Sequence, residues 1–186
     1  MEGLTIIGGK YKNRKLPIPP SVKGNLHFTP ATLKKASFSI MEAKLLQKNL
    51  EWADVCFIDG FAGSGQNSME AISRGCEEVH AFEIDPERIK SLIAIFKKES
   101  GFTIHKKNFF KITNLKEIFN SKKLLIFYID PPFVLWDEKE ELLKELSTNI
   151  LQTFSDSIVL WQSPKLKDWG EYMKKEYGNQ ILFVHG

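Results

Sequence analysis

The sequence has little cysteine and no long hydrophobic run. Its two cysteines, Cys56 and Cys76, lie in separate predicted elements without the spacing of metal ligands, so we interpret them as small buried hydrophobic residues. The longest apolar runs, such as 124–129, are far shorter than the roughly 20 residues that a membrane-spanning helix needs. The N-terminus also lacks the apolar core of a secretory signal. We therefore expect a cytoplasmic protein without a metal site or a membrane span.

The positive charge of the chain is concentrated near its N-terminus. The 186 residues are 42% hydrophobic and 26% charged, as expected for one soluble globular domain, and the net charge is +3. Residues 1–35 contain seven Lys or Arg residues and a single Glu, a net charge of +6, so the remaining residues carry −3. A basic segment suits a polyanionic partner because each cation that neutralises a phosphate releases counterions. Charge alone is equally compatible with a solvated surface.

Two short apolar stretches at the N-terminus predict a small β-hairpin. Residues 4–7 and 14–18 flank the turn sequence Gly8-Gly9-Lys10. Three prolines close the second stretch: Pro17, Pro19 and Pro20. Residues 31–50 then place apolar side chains at helical spacing, with Thr29 as a candidate cap ahead of Pro30. We expect an appended hairpin followed by one amphipathic helix.

Strand and helix patterns alternate through the rest of the chain. The predicted strands cover residues 55–59, 79–83, 103–107, 124–130 and 157–162. The predicted helices cover residues 67–74, 86–98, 114–119 and 137–154. This alternation implies right-handed crossovers and a mostly parallel sheet covered on both faces. Residues 172–185 predict a final antiparallel hairpin. The fold class is therefore α/β.

The first parallel strand runs into a glycine-rich turn, Asp59-Gly60-Phe61-Ala62-Gly63-Ser64-Gly65. In an open α/β sheet this is the edge where ligands bind. Gly63 and Gly65 allow the backbone to approach a ligand closely, and the helix that follows presents free amides. Such a turn fits a dinucleotide, a nucleoside cofactor, or only tight packing of strand against helix.

Glu83 narrows this choice. It ends the next strand 20 residues after Gly63, where an acid accepts hydrogen bonds from ribose hydroxyls. Ser68 breaks the Gly-x-Gly-x-x-Gly pattern that binds pyrophosphate, so an adenosine cofactor without phosphates, S-adenosylmethionine, fits better. Asp59 would then lie near its charged amino-acid end and Asn108 near the adenine edge, with Phe109 or Phe110 on the ring. The candidate cofactor-binding residues are Asp59, Phe61, Gly63, Gly65, Glu83, Ile84, Asn108 and Phe109.

A rigid acidic loop, Asp130-Pro131-Pro132-Phe133, follows the very apolar strand 124–129. The two prolines cannot continue a strand ladder, so they stiffen the loop beyond the edge of the sheet. A carboxylate and a proline-fixed carbonyl that accept the two N–H bonds of a base amino group would favour the nitrogen geometry that attacks a methyl group. Phe133 would stack on the extruded base. We predict these four residues as the catalytic centre; Trp136 either shapes the base pocket or packs the helix start.

With these motifs the chain resembles the bacterial 16S rRNA guanine-N2 methyltransferases of the RsmD type. Residues 6–17, IIGGKYKNRKLP, are similar to the N-terminal signature of that family. The segments FAGSG at 61–65 and EAISRG at 70–75 resemble its cofactor turn and first helix, and DPPF at 130–133 resembles its catalytic motif. The chain departs from the family pattern before and within the N-terminal helix, where it has His27-Phe28-Thr29-Pro30, Lys34 and Lys35.

The resemblance implies a Rossmann-like class I methyltransferase domain over residues 31–186, with a basic hairpin extension over residues 1–30. It also implies that the substrate is a guanine of 16S rRNA in an assembling small ribosomal subunit, and that the hairpin helps to grip this RNA. The candidate RNA-binding residues are Lys10, Lys12, Arg14 and Lys15. We expect a monomer.

Other functions remain open from the residues alone. The same loop chemistry serves an adenine-N6 methyltransferase on RNA or DNA. The altered N-terminal helix is also compatible with a homologue of weak or absent activity that binds the cofactor or RNA. A protein-glutamine methyltransferase is disfavoured because its motif begins with Asn rather than Asp130, and a nicotinamide dehydrogenase is disfavoured because the phosphate turn is missing.

Overall fold

A computed structural model describes residues 4–19, 30–112, 115–119, 121–164, 169 and 172–186 of the chain. At the N-terminus, β1 (Leu4–Thr5) pairs antiparallel with β2 (Lys15–Leu16), which confirms the predicted hairpin. Pro20, Thr29 and the stretch 27–28 lie outside the described residues. The buried side chains of Leu4 and Leu16 belong to the same hydrophobic cluster as the central sheet, so the hairpin is packed onto the body of the protein.

The main sheet has seven strands in the spatial order β5-β4-β3-β6-β7-β9-β8. Their bounds are β3 Val55–Asp59, β4 Glu78–Phe82, β5 Phe102–His105, β6 Leu124–Ile129, β7 Ile158–Pro164, β8 Met173–Tyr177 and β9 Gln180–His185. The strands β3 to β7 are parallel to one another, whereas β9 pairs antiparallel with both β7 and β8. The mostly parallel sheet and the C-terminal antiparallel hairpin are therefore confirmed as predicted.

Within the described residues, six α-helices cover the two faces of this sheet. Their bounds are α1 Ala31–Gln47, α2 Gln66–Arg74, α3 Pro86–Ile95, α4 Leu115–Ile118, α5 Phe133–Glu138 and α6 Glu140–Thr153. Apolar residues of α1, α2 and α3 share one cluster with Phe57 and Tyr128, whereas residues of α4, α5 and α6 share the other with Phe127 and Trp161. Because alternate strand residues point to opposite faces and both faces are covered, all five residues of β3 are buried. This is the predicted Rossmann-like architecture.

Three predicted helices differ from those in the structure, and the one predicted over 86–98 ends at Ile95. The single helix predicted over 137–154 is wrong: α5 begins earlier, at Phe133, and Lys139 (φ −135°) separates it from α6. The proline pair has already set the chain into a first turn, because Pro132 accepts a hydrogen bond from the Leu135 amide at 2.9 Å. The helix predicted over 31–50 ends at Gln47, and Asn49 has a positive φ of 54° that stops the helix.

A buried ionic cluster holds the hairpin, α1 and α2 together. The Glu70 side chain is fully buried, and its Oε1 accepts the Ile7 amide at 2.7 Å and lies 3.4 Å from Lys34 Nζ. Its Oε2 accepts from Arg74 Nη1, while Arg74 Nε donates to Glu42 at 2.8 Å. Lys34 Nζ also donates to the Thr5 carbonyl at 2.9 Å. Lys34, which the charge count assigned to the basic N-terminal segment, is therefore a buried structural cation and does not face a partner.

The pKa of Lys34 is set by two opposing effects. Desolvation lowers the pKa of Lys34, and the nearby Glu70 carboxylate works in the opposite direction by favouring the charged form. The charged form of Lys34 thus depends on the buried Glu70 carboxylate beside it.

Across the described part of the chain, no helix combines the length and the apolar character that crossing a bilayer requires.

Candidate active site at the carboxyl edge of the sheet

Asp59 occupies the end of the central strand β3 and is only 1% exposed. Its Oδ2 accepts hydrogen bonds from the Ser68 amide at 3.2 Å and from Ser68 Oγ at 2.7 Å. Its Oδ1 is buried and has no hydrogen-bond partner within the described residues. Burial raises the pKa of Asp59 to about 6; the charge of Glu83 acts in the same direction, and the Ser68 hydrogen bonds and a weaker interaction with the Phe61 backbone amide oppose it. A buried carboxylate with one unsatisfied oxygen is suited to a ligand that brings a donor or a positive charge.

In the turn after Asp59 there is free space next to Gly63, whereas side chains pack tightly against Gly65. Gly65 has a φ of +75° and begins α2, and a Cβ there would lie 2.5 Å from a methyl carbon of Leu92, so only glycine fits. At Gly63 the nearest atom to an added Cβ is the Phe61 carbonyl oxygen, 3.8 Å away. The tight packing is therefore concentrated at Gly65, and the space next to Gly63 is accessible to a ligand.

Glu83 links this turn to the next strand. Its Oε2 accepts the Gly63 amide at 3.0 Å, and its Oε1 accepts the amides of Ile84 at 2.7 Å and Asp85 at 2.9 Å. Arg88 Nη1 lies 3.8 Å from Oε2. A carboxylate offers about four acceptor positions, so three amides leave room for a further donor. Ile84, directly after Glu83, is 63% exposed, which leaves an apolar side chain at the rim of the site.

The segment after β5 contributes a side-chain amide and two aromatic rings. Asn108 Oδ1 accepts the Phe110 amide at 3.0 Å and so starts a short 3-10 turn, which leaves the Asn108 NH₂ group as the side chain's donor. Phe109 is buried and packs against Phe82 with ring centroids 4.8 Å apart. Phe110 is half-buried and lies edge-on to Phe61 at 5.2 Å. Of the two rings considered for stacking, Phe110 is the accessible one.

The loop from Asp130 to Phe133 lies at the same edge as Asp59. Strand β6 pairs with β3 in parallel register, with Asp59 opposite Tyr128, and the Gly60 amide donates to the Tyr128 carbonyl at 3.0 Å. Asp130 is half-buried, and α5 begins three residues later. Trp136 anchors α5: it is completely buried and packs on Trp169 with centroids 4.9 Å apart. Trp136 therefore packs the helix start and does not line a base pocket.

The predicted RNA-binding side chains all lie on the surface of the hairpin. Lys10, Lys12, Arg14 and Lys15 are exposed. Lys10 Nζ and the Arg14 guanidinium lie over the Tyr11 ring, at 4.7 and 5.1 Å from its centroid, and Lys10 also lies 3.9 Å from Glu99. Lys12 and Lys15 are not part of these contacts. The hairpin presents a basic surface whose centre is ordered by one aromatic ring.

The sequence interpretation assigns no role at this edge to Ser68 and leaves Phe109 and Phe110 as alternatives for the stacking ring. In the sequence, Ser68 is notable only because it breaks a pyrophosphate pattern, whereas in the structure it is the hydrogen-bond partner of Asp59. The available signal is a serine in the first turn of the helix that follows a strand ending in Asp. Nothing in the sequence distinguishes the buried Phe109 from the half-buried Phe110, because the two rings are adjacent in the chain after Asn108.

The model of the family described as "Conserved hypothetical protein 95" matches residues 4–185. The ribosomal RNA small subunit methyltransferase D of Buchnera aphidicola is 32% identical over 76% of this chain and 65% of its own length, and an uncharacterized methylase of Rickettsia prowazekii is 36% identical over 47% and 36%. The chain thus spans less than two thirds of these curated relatives. A solved Thermus thermophilus hypothetical protein has the same fold, with a TM-score of 0.74, 22% identity and 97% of both chains covered.

Proposed function

We propose that this chain, which belongs to the conserved hypothetical protein 95 family, transfers a methyl group from S-adenosylmethionine to the exocyclic N2 amine of a guanine in small-subunit rRNA. One observation carries the proposal. The three adjacent parallel strands β4, β3 and β6 bring Glu83, Asp59 and Asp130 to a single edge of the sheet. In open α/β folds this is the edge at which ligands bind.

The residues on this edge fit S-adenosylmethionine. The unsatisfied Oδ1 of the buried Asp59 matches the positively charged amino-acid end of that cofactor. Glu83 would accept the ribose hydroxyls, exchanging its Gly63 hydrogen bond or using its remaining acceptor position. Phe61, Gly63 and Gly65 would form the turn around the cofactor. Ile84 and the Asn108 NH₂ group would contact the adenine. Phe110 would stack on the adenine ring, because Phe109 is buried.

The chemistry is divided between the cofactor and the loop. When bound, S-adenosylmethionine supplies a methyl group on a positively charged sulfur. The Asp130 carboxylate and a main-chain carbonyl fixed by Pro131 and Pro132 would accept the two amine N–H groups of the base. These hydrogen bonds localise the nitrogen lone pair, which is otherwise delocalised into the ring, and orient it for attack. Phe133 would hold the extruded base by stacking, on a helix that Trp136 fixes in place.

Small-subunit rRNA is proposed as the substrate because the Buchnera relative is named a small-subunit rRNA methyltransferase and because this chain has a basic hairpin. In this proposal Lys10, Lys12, Arg14 and Lys15 bind rRNA phosphates, residues 1–30 form an RNA-gripping extension of the methyltransferase domain, and the protein acts as a monomer on an assembling small subunit in the cytoplasm. Guanine is proposed because the motifs of the chain resemble those of the RsmD-type guanine-N2 methyltransferases. The loop chemistry alone does not choose the base, since Asp130 would accept an adenine amine equally well.

Transfer of label from the cofactor is the direct test. The protein is incubated with methyl-labelled S-adenosylmethionine and with small subunits, assembly intermediates and naked 16S rRNA from cells that lack the modification. Digestion of the RNA to nucleosides should yield one labelled species, N2-methylguanosine. Labelled N6-methyladenosine would instead establish the adenine enzyme. RNA binding without label in any substrate form would contradict the proposed activity.

A double substitution of Lys12→Ala and Lys15→Ala should weaken rRNA binding and reduce its salt dependence. Each phosphate contact that is lost lowers the slope of log affinity against log salt concentration by roughly 0.7 to 0.9. The slope is measured by titrating labelled rRNA at several salt concentrations. The matched control replaces Lys116 and Lys139, two exposed lysines on the opposite face of the sheet. Equal slopes for both double variants would remove the hairpin from the RNA-binding surface.

Cofactor affinity should depend on the protonation of Asp59. The pKa of this carboxyl is raised to about 6 by burial, so below that pH it loses the charge that attracts the cationic end of S-adenosylmethionine. Calorimetric titration should show the affinity falling by up to about tenfold per pH unit below pH 6. The Asp59→Asn variant should bind weakly at every pH. A wild-type affinity that stays constant from about pH 5 to 7 would contradict this role.

The same carboxyl changes the stability of the free protein in the opposite sense. Because its folded pKa of about 6 lies above the ordinary value of 3.8, protonation favours the folded state. This stabilisation is fully present below pH 3.8 and is lost as the pH rises through 6. Asp59→Asn should therefore be more stable than the wild type at neutral pH even though it binds the cofactor less well, a difference that denaturant titration measures.

A further inference from the structure

Three side chains with metal-binding atoms converge on one face of the sheet, far from the proposed active site. Cys56 of β3 lies in register opposite Glu78 of β4, and Glu78 and His80 point to the same face because they are two residues apart in one strand. The Cys56 Sγ, a Glu78 carboxylate oxygen and an imidazole nitrogen of His80 lie within 4.8 Å of one another. All three are on hydrogen-bonded neighbouring strands, so the backbone holds them in a fixed relation.

Two of these side chains are already oriented by a second partner. His80 Nδ1 lies 2.8 Å from His105 Nε2, and the rings of the two histidines stack with centroids 5.1 Å apart. Glu78 Oε2 accepts from Ser121 Oγ at 2.9 Å, while Oε1 lies 3.4 Å from His80 Nε2. In metal sites the ligating histidine and carboxylate are typically held in this way by hydrogen bonds from an outer layer of residues.

We propose that Cys56, Glu78 and His80 bind a divalent metal ion, with Zn²⁺ as the preferred ion. A thiolate, an imidazole and a carboxylate form a mixed sulfur, nitrogen and oxygen set that Zn²⁺ accepts and that the harder Mg²⁺ and Ca²⁺ do not favour. His80 would bind through Nε2 and keep its proton on Nδ1, where His105 Nε2 accepts it. Three protein ligands leave one tetrahedral position for a water molecule.

The proton balance of binding is simple. Cys56 is fully buried beside Glu78, and this burial and the neighbouring negative charge raise the pKa of its thiol, so the metal-free side chain is a neutral thiol that donates to Glu78. On binding, the S–H bond breaks, a sulfur–metal bond forms and one proton leaves to solvent. Without metal, the same atoms form a hydrogen-bond chain from Cys56 through Glu78 and His80 to His105.

The ion would stabilise the fold and take no part in methyl transfer. Cys56 is the second residue of β3 and Asp59 the last, which places them about 10 Å apart along the strand. The cluster ties together β3 and β4 with support from β5, the edge strand of the sheet. This inference is independent of the proposed function, because neither the cofactor residues nor the Asp130 loop contributes a ligand.

Cobalt spectroscopy tests the site in the full-length protein. Metal-free protein, prepared by dialysis against a chelator, is titrated with Co²⁺, and one equivalent should produce a thiolate-to-cobalt charge-transfer band that Zn²⁺ then displaces. Cys56→Ala should abolish the band. The control Cys76→Ala should keep it, because the Cys76 thiol donates to the carbonyls of Val55 and Glu78 and does not face the cluster. His105→Gln should weaken the affinity by roughly 10- to 100-fold.

A second measurement covers the case in which a core variant does not fold. X-ray absorption of the zinc-loaded wild type should show one sulfur neighbour at about 2.3 Å and nitrogen or oxygen neighbours at about 2.0–2.2 Å. A zinc shell without sulfur, or no retained ion after gel filtration, would overturn the proposal. So would equal loss of the cobalt band in the two cysteine variants. Methyl transfer by folded Cys56→Ala should match the wild type, so failure of the metal site does not touch the proposed activity.

Discussion

Methyl transfer should fall by roughly 10²- to 10³-fold when Asp130 is replaced with Asn. The substitution keeps the size and planarity of the side chain but removes the negative charge that would favour the reacting amine. Since Asp130 lies beyond the end of β6 and Asp59 and Glu83 lie on other strands, cofactor binding should change little. The expected pattern is a large decrease in single-turnover rate with an unchanged cofactor dissociation constant, measured by rapid quench and calorimetry.

The matched control for this experiment is Asp137→Asn. Asp137 is an exposed acid on α5, seven residues after Asp130, and its substitution makes the same change of charge outside the loop. The control should retain the wild-type rate. If Asp130→Asn retained a rate within about threefold of Asp137→Asn, the negative charge of Asp130 would not contribute to the reaction, since a hydrogen bond to a charged acceptor is worth about 1.5–3 kcal/mol and one to a neutral acceptor only about 0.5–1.5 kcal/mol.

The largest effect on stability is expected from Glu70→Gln. Among the residues that the structure describes, Glu70 is the acid that pairs with the buried Lys34, and it also accepts from Arg74. Removing one partner of a buried ion pair destabilises a protein by about 3–5 kcal/mol because the remaining charge is left uncompensated. For a chain of this size that corresponds to a decrease of roughly 6–20 °C in the melting temperature. Thermal denaturation followed by circular dichroism measures the shift.

A second substitution separates lost charge balance from lost packing. Adding Lys34→Met to the Glu70→Gln background removes the uncompensated cation and should recover most of the stability. The control Glu42→Gln affects a half-exposed partner of Arg74 and should shift the melting temperature only slightly. A melting temperature that fell equally in Glu70→Gln and Glu42→Gln would show that the buried cluster does not stabilise the hairpin.

Much of the fold was accessible from periodicity. The strands of the parallel sheet are continuous apolar runs separated by helical patterns, and β3 was placed at its observed bounds, 55–59. The family match and the Buchnera relative confirm the family resemblance drawn from the motifs. The helix after the Asp130 loop begins earlier than predicted because Pro132 acts as the start of α5, whereas the apolar pattern suggests a start at residue 137. Local turn chemistry outweighed periodicity there.

Residues of the candidate site are predictable from sequence where the residue type indicates the position in the fold. They are not predictable where their position depends on how distant elements pack together. Acids and glycines at strand ends indicate the edge of the sheet, so Asp59, Gly65 and Glu83 were named from sequence. The burial of Lys34 was not predictable, because its partner Glu70 is 36 residues away in the chain and the pairing depends on how α1 packs against α2. The cluster around Cys56 is hidden from sequence for the same reason, because its three side chains come from two strands and form no sequence motif.

The hairpin turn meets α2 in a contact that no other residue than glycine allows at Gly9. A Cβ at this position would lie 1.8 Å from the Ser73 carbonyl oxygen, and the Lys10 amide donates to that same oxygen at 2.7 Å. The basic surface is thus mounted rigidly on the helix whose first turn lies beside Asp59. Under the proposed function, the distance between this basic surface and Asp130 would be set by the fold. The protein would then select an RNA in which a base that can be extruded lies at the matching distance from a group of phosphates. The folded shape of the RNA sets this distance, so it would matter more than the nucleotide sequence around the base.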